Sequence, residues 1–225
     1  MLNRIKTIIR QRRWKLYTAP YQLNIVGVRS PITSANQFDD LITVFYRDEK
    51  GKWRFHAYPA TTDPGLPYLH VPIHNMGAAI LAMGQYTDKY MIDRHRGRYY
   101  ALCQRGGPVT VVRDYNRDST LDYNNGERMT GNFGINIHRA LATGETPTVE
   151  RYSAGCQVFK NADDFNKFMR LCETHKKLHG NVFTYSLVDF RALRRANRRK
   201  WLLRGGLLGG AALVTLLAIS TINND

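Results

Sequence analysis

Two side chains in the stretch GNFGINIHRALATGETPTVERYSAGCQVF, residues 131–159, have the types and spacing for acyl transfer: His138 and Cys156. A cysteine attacks as its thiolate, so it needs a base, and the oxyanion it creates needs donors. His138 is the base at hand. In Ser153-Ala154-Gly155-Cys156 the glycine permits a sharp turn and close approach of a substrate. The amides of Gly155 and Cys156 can then point at one developing charge. Asn136 stands two residues before His138, so on a strand it faces the same side and helps hold the site. A thiol beside an imidazole and strand-end amides is expected to have a lowered pKa and to be alkylated ahead of the other cysteines. The plainer alternative is a buried histidine and a buried thiol that are only neighbours in sequence.

For the pair to meet, GINIH and CQVF must be adjacent strands, with the Gly-, Thr- and Pro-containing run RALATGETPTVERY as a loop at the mouth of the site. The rest of the body also reads mostly as strands. LITVFYRDEKGKWRFHAYPA, 41–60, is a hairpin around Asp48–Lys52, and YYALCQRGGPVTVVRD, 99–114, repeats that pattern around Gly106-Gly107-Pro108. Ala78–Met83 are good helix formers, which suggests one short helix. A clear helix covers 162–179. Asn161 caps it, Asp163 and Asp164 occupy its first turn, and Gly180 ends it. Phe165, Phe168, Met169 and Cys172 line one face of that helix, making Cys172 a core thiol. NVFTYSLVDF, 181–190, is a final strand.

The order His138, loop, Ser153-Ala154-Gly155-Cys156 resembles the signature of the L,D-transpeptidase catalytic domain, a histidine followed by Ser/Thr-x-Gly-Cys on the next strand. YPATTDPG, 58–65, looks like that family's early strand and turn, and the likeness spans about residues 40–190. It implies a mainly β fold with helices (α+β), an L,D-transpeptidase-like β-sandwich or barrel. It also implies Cys156 as nucleophile, His138 as its base, and Ser153 as the neighbour that orients histidine or substrate. Gly155, Asn136 and Gln157 would serve the oxyanion and the substrate. No metal or cofactor is implied, and the partners would be peptidoglycan stem peptides. The chain departs from the family pattern at Ala154, where the family usually has histidine, and at Gln157-Val158, where an arginine or asparagine commonly follows the cysteine. The wording GINIHRA…SAGCQVF is similar to distant members in bacteriophage genomes, where wall cutting is the natural role.

Charge is distributed unevenly. The 225-residue chain has a net charge of +15, but 13 of its 33 basic residues lie in 1–16 and 191–204, which contain no acid. The body keeps 20 basic against 17 acidic residues, so the basicity speaks of polyanion or membrane contact at the ends rather than a basic groove. In 1–16, Leu2, Ile5, Ile8 and Ile9 share one helical face, which fits either an interfacial segment or a solvated basic helix. GGLLGGAALVTLLAISTI, 205–222, holds 18 residues without a charge. As a helix it would run about 27 Å, enough to cross a thin bilayer core. A buried core helix is the alternative, which four early glycines disfavour. Gly205/Gly209 and Gly206/Gly210 suit pairing of two such tails in a homodimer.

The expected organisation is therefore a basic helix at 1–16, a catalytic domain at 17–190, a basic juxtamembrane segment at 191–204 and a transmembrane helix at 205–222. The basic flank favours a single-pass C-terminal anchor with the body on the cytoplasmic side, in a host inner membrane or a virion. Three scattered cysteines exclude a disulfide framework.

Three further features carry weaker signals. Asp114, Asn116, Asp118 and Asp122 have a partial calcium-loop spacing but lack its glycine and closing glutamate, so an Asx-rich turn is the simpler reading. His70 and His74 are separated by Pro72, which spoils a shared helical face. His95, in DRHRGRYY, reads as an exposed loop histidine near the cleft. The function classes left are a peptidoglycan-active cysteine enzyme, a membrane-anchored virion or structural protein with an idle enzyme fold, and a nucleic-acid-associated membrane protein. The last is disfavoured because no aromatic-interleaved basic stretch occurs in the body.

Overall fold

A computed structural model describes residues 1–196. The fold is α+β with more strand than helix. In chain order the elements are α1 (Leu2–Gln11), β1 (Asn24–Arg29), β2 (Asp40–Arg47), β3 (Trp53–Thr61), α2 (Leu66–His70), β4 (Ala78–Leu81), β5 (Gly84–His95), β6 (Tyr99–Gln104), β7 (Val109–Asp114), β8 (Arg128–Gly131), β9 (Ile137–Arg139), a 3-10 turn (Glu150–Tyr152), β10 (Gln157–Phe159), α3 (Ala162–His179) and β11 (Phe183–Asp189). Eight strands close a barrel in the order β1-β11-β5-β6-β9-β10-β3-β2, and β4-β7-β8 form a separate three-stranded sheet.

Alternation along β1 and β2 sorts their side chains into two of the three hydrophobic clusters. Ile25, Ile42, Val44 and Tyr46 point into the main core with Tyr90, Phe159, Phe168 and Tyr185. Val26, Val28 and Phe45 point the other way, against Ile5, Ile8 and Ile9 of α1. Both faces of β1 are therefore covered, and all six of its residues are buried. Gly27 is required there, because a Cβ would collide with the Tyr185 hydroxyl.

The apolar face of α1 is spent on this second core, so the reading of 1–16 as a free interfacial segment is corrected: the barrel wall occupies the face that lipid would need. Leu193 and Ala196, in a helical segment 190–196 that follows β11, join the same cluster. Helix α1 and the described part of the second basic stretch, 191–196, remote in sequence, thus lie side by side. Arg4, Arg10, Arg12, Arg13, Arg194 and Arg195 are exposed there.

Helix α3 spans the expected range. Asn161 Oδ1 accepts from the amides of Asp163 at 2.8 Å and Asp164 at 3.2 Å, and Gly180 follows its last turn. Cys172 is fully buried on its inner face. The hairpin of 41–60 is β2 and β3, paired from Asp40↔Ala60 to Arg47↔Trp53.

Two local expectations fail. Ala78–Leu81 is a strand, not a helix: all four residues are buried, and pairing with β7 overrides their helix propensity. Residues 99–114 are not a hairpin, since β6 belongs to the barrel and β7 to the small sheet. Gly106 donates back to Lys89, Gly107 takes a φ of 111°, and Pro108 has no amide to continue a ladder, so the chain leaves the barrel there. The expected transmembrane helix at 205–222 and the end of the 191–204 segment lie outside the described residues. Among the described residues, no helix is long and apolar enough to cross a membrane.

Candidate active site

Strands β9 and β10 are paired and parallel, in the register Gln157↔Ile137 and Val158↔His138. Cys156 lies immediately before β10, beside Asn136, and Gln157 N donates to Asn136 O at 2.9 Å. With a period of two, Asn136, His138 and Cys156 project from one face. His138 and Cys156 are diagonal neighbours, with Cα atoms about 8 Å apart by strand geometry.

The turn before Cys156 is built by Ser153. Its fully buried hydroxyl donates to Cys156 O at 2.8 Å and accepts from Gly155 N at 3.1 Å. Gly155 has a φ of 120°, and a Cβ there would collide with the Ala79 carbonyl. Two expectations change accordingly. Ser153 shapes the turn rather than orienting the histidine, and the Gly155 amide is used within the turn and is not an oxyanion donor. The Cys156 amide has no hydrogen-bond partner among the described residues and remains free for that role. Gln157 is also corrected. It is fully buried behind the site, with Tyr185 Oη donating to its Oε1 at 2.7 Å and its own amide donating to Gly155 O at 3.2 Å. It braces the turn from inside the barrel and faces no substrate.

His138 is 4% exposed. Its Nδ1 lies 2.8 Å from Arg139 O, a carbonyl that can only accept, so Nδ1 carries the proton and Nε2 is left as a base. Tyr99 Oη donates to the same carbonyl at 3.2 Å. The resting thiol and imidazole are not hydrogen-bonded to each other: Cys156 Sγ accepts from Asn136 N at 3.4 Å and donates to Gly134 O at 3.5 Å. The thiol opens into a cavity of about 410 Å³ that Asn136, Ala154, Arg113 and Phe133 also line. His138 opens into a neighbouring cavity of about 570 Å³, walled by Arg98, Arg139, Arg151 and Glu150. His95 and Arg96 line both cavities.

His95 is the residue that sequence reasoning misplaced. It ends the twelve-residue β5, is 7% exposed, and stacks on His138 with ring centroids 4.1 Å apart. Its Nδ1 is 3.0 Å from Asn136 Nδ2, while Asn136 Oδ1 accepts from Gln104 N at 2.9 Å. Gln104 was not foreseen either. Its side chain accepts from Ile135 N at 3.0 Å and donates to Gly131 O at 3.1 Å, stitching the segment ahead of β9. No sequence motif marks these contacts, which arise only when β5, β6 and β9 close the barrel.

Burial dominates the electrostatics. It pushes His138 down to about 3, helped by neighbouring His95, and His95 down to about 4, helped by Arg96. It also raises the Cys156 thiol, against the pull of the Asn136 amide and Arg96. The expected low-pKa thiolate is therefore corrected: at rest the pair is a neutral thiol and a neutral imidazole, because desolvation penalises both charges more than their neighbours repay.

The Asp114–Asp122 turn engages its own carboxylates: Asp122 N donates to Asp114 Oδ2 at 3.0 Å, and Thr120 N to Asp118 Oδ1 at 2.7 Å. No cluster of three or more potential metal-ligating residues is found among the described residues. Comparison with known families, characterised proteins and solved structures yields no match for this chain.

Proposed function

We propose that this protein is a membrane-tethered cysteine acyl-transfer enzyme of L,D-transpeptidase type, acting on stem-peptide or cross-link amide bonds of peptidoglycan in a phage-type wall-degrading or remodelling role. One observation carries the reading. His138 Nδ1–H is fixed on the Arg139 carbonyl, which leaves Nε2 as a base on the sheet face that also carries the Cys156 side chain. In the mechanism, His138 Nε2 takes the thiol proton as Sγ bonds to the substrate carbonyl carbon. The oxyanion forms at the Cys156 amide. Collapse breaks the carbon–nitrogen bond, His138 returns the proton to the leaving amine, and a thioester remains. An incoming amine gives transfer and water gives hydrolysis. The arginines around the His138 cavity suit the carboxylates of stem peptides.

The tether is read from the uncharged run 205–222 and from the basic platform that α1 and 190–196 form together, which suits anionic headgroups. The spacing of the tail glycines suits pairing of two copies. The basic flank keeps the body on the cytoplasmic or virion-interior side until lysis or infection. Protease protection on sealed vesicles tests this orientation: digestion of the body from the periplasmic face of intact cells would make a resident periplasmic transpeptidase the better account.

A second reading, a membrane-anchored virion or structural protein with an idle enzyme fold, draws on the missing thiol–imidazole hydrogen bond. Mass spectrometry of muropeptides incubated with the full chain in detergent separates the two. New cleavage or exchange products that vanish in Cys156→Ala are expected, and unchanged muropeptides would leave the structural role.

A further inference from the structure

We propose that His95 Nε2–H is the second donor to the oxyanion formed on attack by Cys156, an inference that rests on the acyl-transfer reading above. An acyl-transfer site needs preorganised donors where charge develops. Here the turn supplies only one. The Gly155 amide, which would be the natural second donor, is held by Ser153 Oγ at 3.1 Å, whereas the Cys156 amide is free.

The tautomer of His95 follows from a two-step relay. Gln104 N–H is a donor, so the atom 2.9 Å from it must be Asn136 Oδ1, which turns Asn136 Nδ2 toward His95. That amide nitrogen is also a donor, so His95 Nδ1, 3.0 Å away, must accept. The ring proton of His95 therefore sits on Nε2. Each side chain in the relay is nine-tenths or more buried: Asn136 at 8% exposure and His95 at 7%. The ring lines the same cavity as Cys156.

The division of labour is clean. When Sγ bonds to the carbonyl carbon, the carbonyl π pair moves to oxygen and the thiol proton moves to His138 Nε2. His95 transfers nothing; it only donates to the oxygen. Stacked 4.1 Å from His138, it must stay neutral for His138 to accept a proton, and its relay keeps Nδ1 an acceptor. Arg96, on the same wall, is a surface cation and an alternative source of stabilisation, so the test must isolate the imidazole.

Two reactions of Cys156 separate these roles in the full chain. Alkylation by iodoacetamide forms no oxyanion, whereas acylation by p-nitrophenyl acetate does. In His95→Phe, which keeps a stacking ring without the donor, acylation should fall by about 10²-fold with alkylation within about twofold of wild type. His95→Gln, which offers an amide donor, should recover part of the acylation rate, and it serves as the readout if His95→Phe fails to fold. Equal loss of both reactions would make His95 a packing residue for His138 and overturn the proposal, as would unchanged acylation in both variants. A wild-type Cys156 that neither alkylates nor acylates faster than Cys156→Ala background would instead defeat the acyl-transfer reading, and this proposal with it.

Discussion

Two polar clusters are buried in this barrel, one around Cys156 and one around Arg29, and their bonding differs. Arg29 is 2% exposed, with Nε 2.9 Å from Asp63 and further donations to Thr62 O, at 2.9 Å, and Leu81 O, at 3.0 Å. Asp40 accepts from Ser30 N at 2.6 Å and from the Thr62 amide and hydroxyl at 2.6 and 2.7 Å. Tyr123 donates to Asp63 at 3.1 Å, and its ring covers Arg29. That cluster is built around one ion pair, Arg29 with Asp63, and is almost fully bonded. The Cys156 cluster is neutral, and it keeps an unbonded amide and an unbonded imidazole nitrogen on residues that line two neighbouring cavities. A saturated network holds strands β1, β2 and β3 in place; an unsaturated one leaves bonding groups unspent, as the proposed acyl transfer requires. On the proposed reading, leftover bonding capacity rather than polarity separates the site from the strut.

Breaking the strut should cost the most. Arg29→Ala leaves two buried carboxyls without their cation, so chemical denaturation should show a loss of about 3–5 kcal/mol. A loss under about 1 kcal/mol would show that the cluster is hydrated and that the contrast with the site is false. Breaking the site should spare stability and remove chemistry. His138→Ala should slow Cys156 alkylation at neutral pH by about 10²-fold, read by mass spectrometry of the labelled peptide, with Cys172 inert in both proteins. Preferential labelling of Cys172 would sink the assignment.

The two clusters also titrate in opposite senses. Burial, then the Asp63 charge, pushes Asp40 up to about 8, and burial raises Asp63 with it. The folded state then holds more protons than the unfolded chain above about pH 4, so Asp40 contributes stability that is full below the unfolded pKa and is lost as pH rises through about 8, and Asp63 acts in the same sense. His138 is depressed to about 3 and His95 to about 4, so the unfolded chain protonates first, and their contribution is lost as pH falls below about 6.5. Stability should therefore decline from pH 6.5 to 8, by at most about 1.4 kcal/mol per pH unit for each proton linked. Asp40→Asn should flatten that decline, and a decline that survives the substitution would remove Asp40 as its source. The smallest expected effect is in Ser153→Ala. It releases the Gly155 amide and should lower stability by about 1 kcal/mol while changing acylation less than tenfold. A larger catalytic loss would return Ser153 to the reacting centre.

Local pattern was enough for some of this molecule. Asn161, Asp163, Asp164 and Gly180 determined where α3 begins and ends, because capping is a contact between near neighbours. The β2–β3 hairpin followed from its alternating runs and polar turn. The placement of His138 and Cys156 on neighbouring strands was legible because a strand, a loop and a glycine turn are written in consecutive residues, and the uncharged run 205–222 is a property of composition; that the two side chains rest unbonded to each other was not. Tertiary structure decided the rest. Ala78–Leu81 became a strand because β7 was there to pair with it, and α1 lost its apolar face to the barrel. The Gly155 amide was taken by a hydroxyl two residues away, in a turn whose shape depends on the Ala79 carbonyl behind it. His95 entered the site from a hairpin more than forty residues before His138, by stacking and by an amide relay that no spacing encodes. The thiol and imidazole are neutral for the same reason: their protonation is set by how much water the closed barrel excludes, and that is a sum over the whole fold rather than over any stretch of sequence.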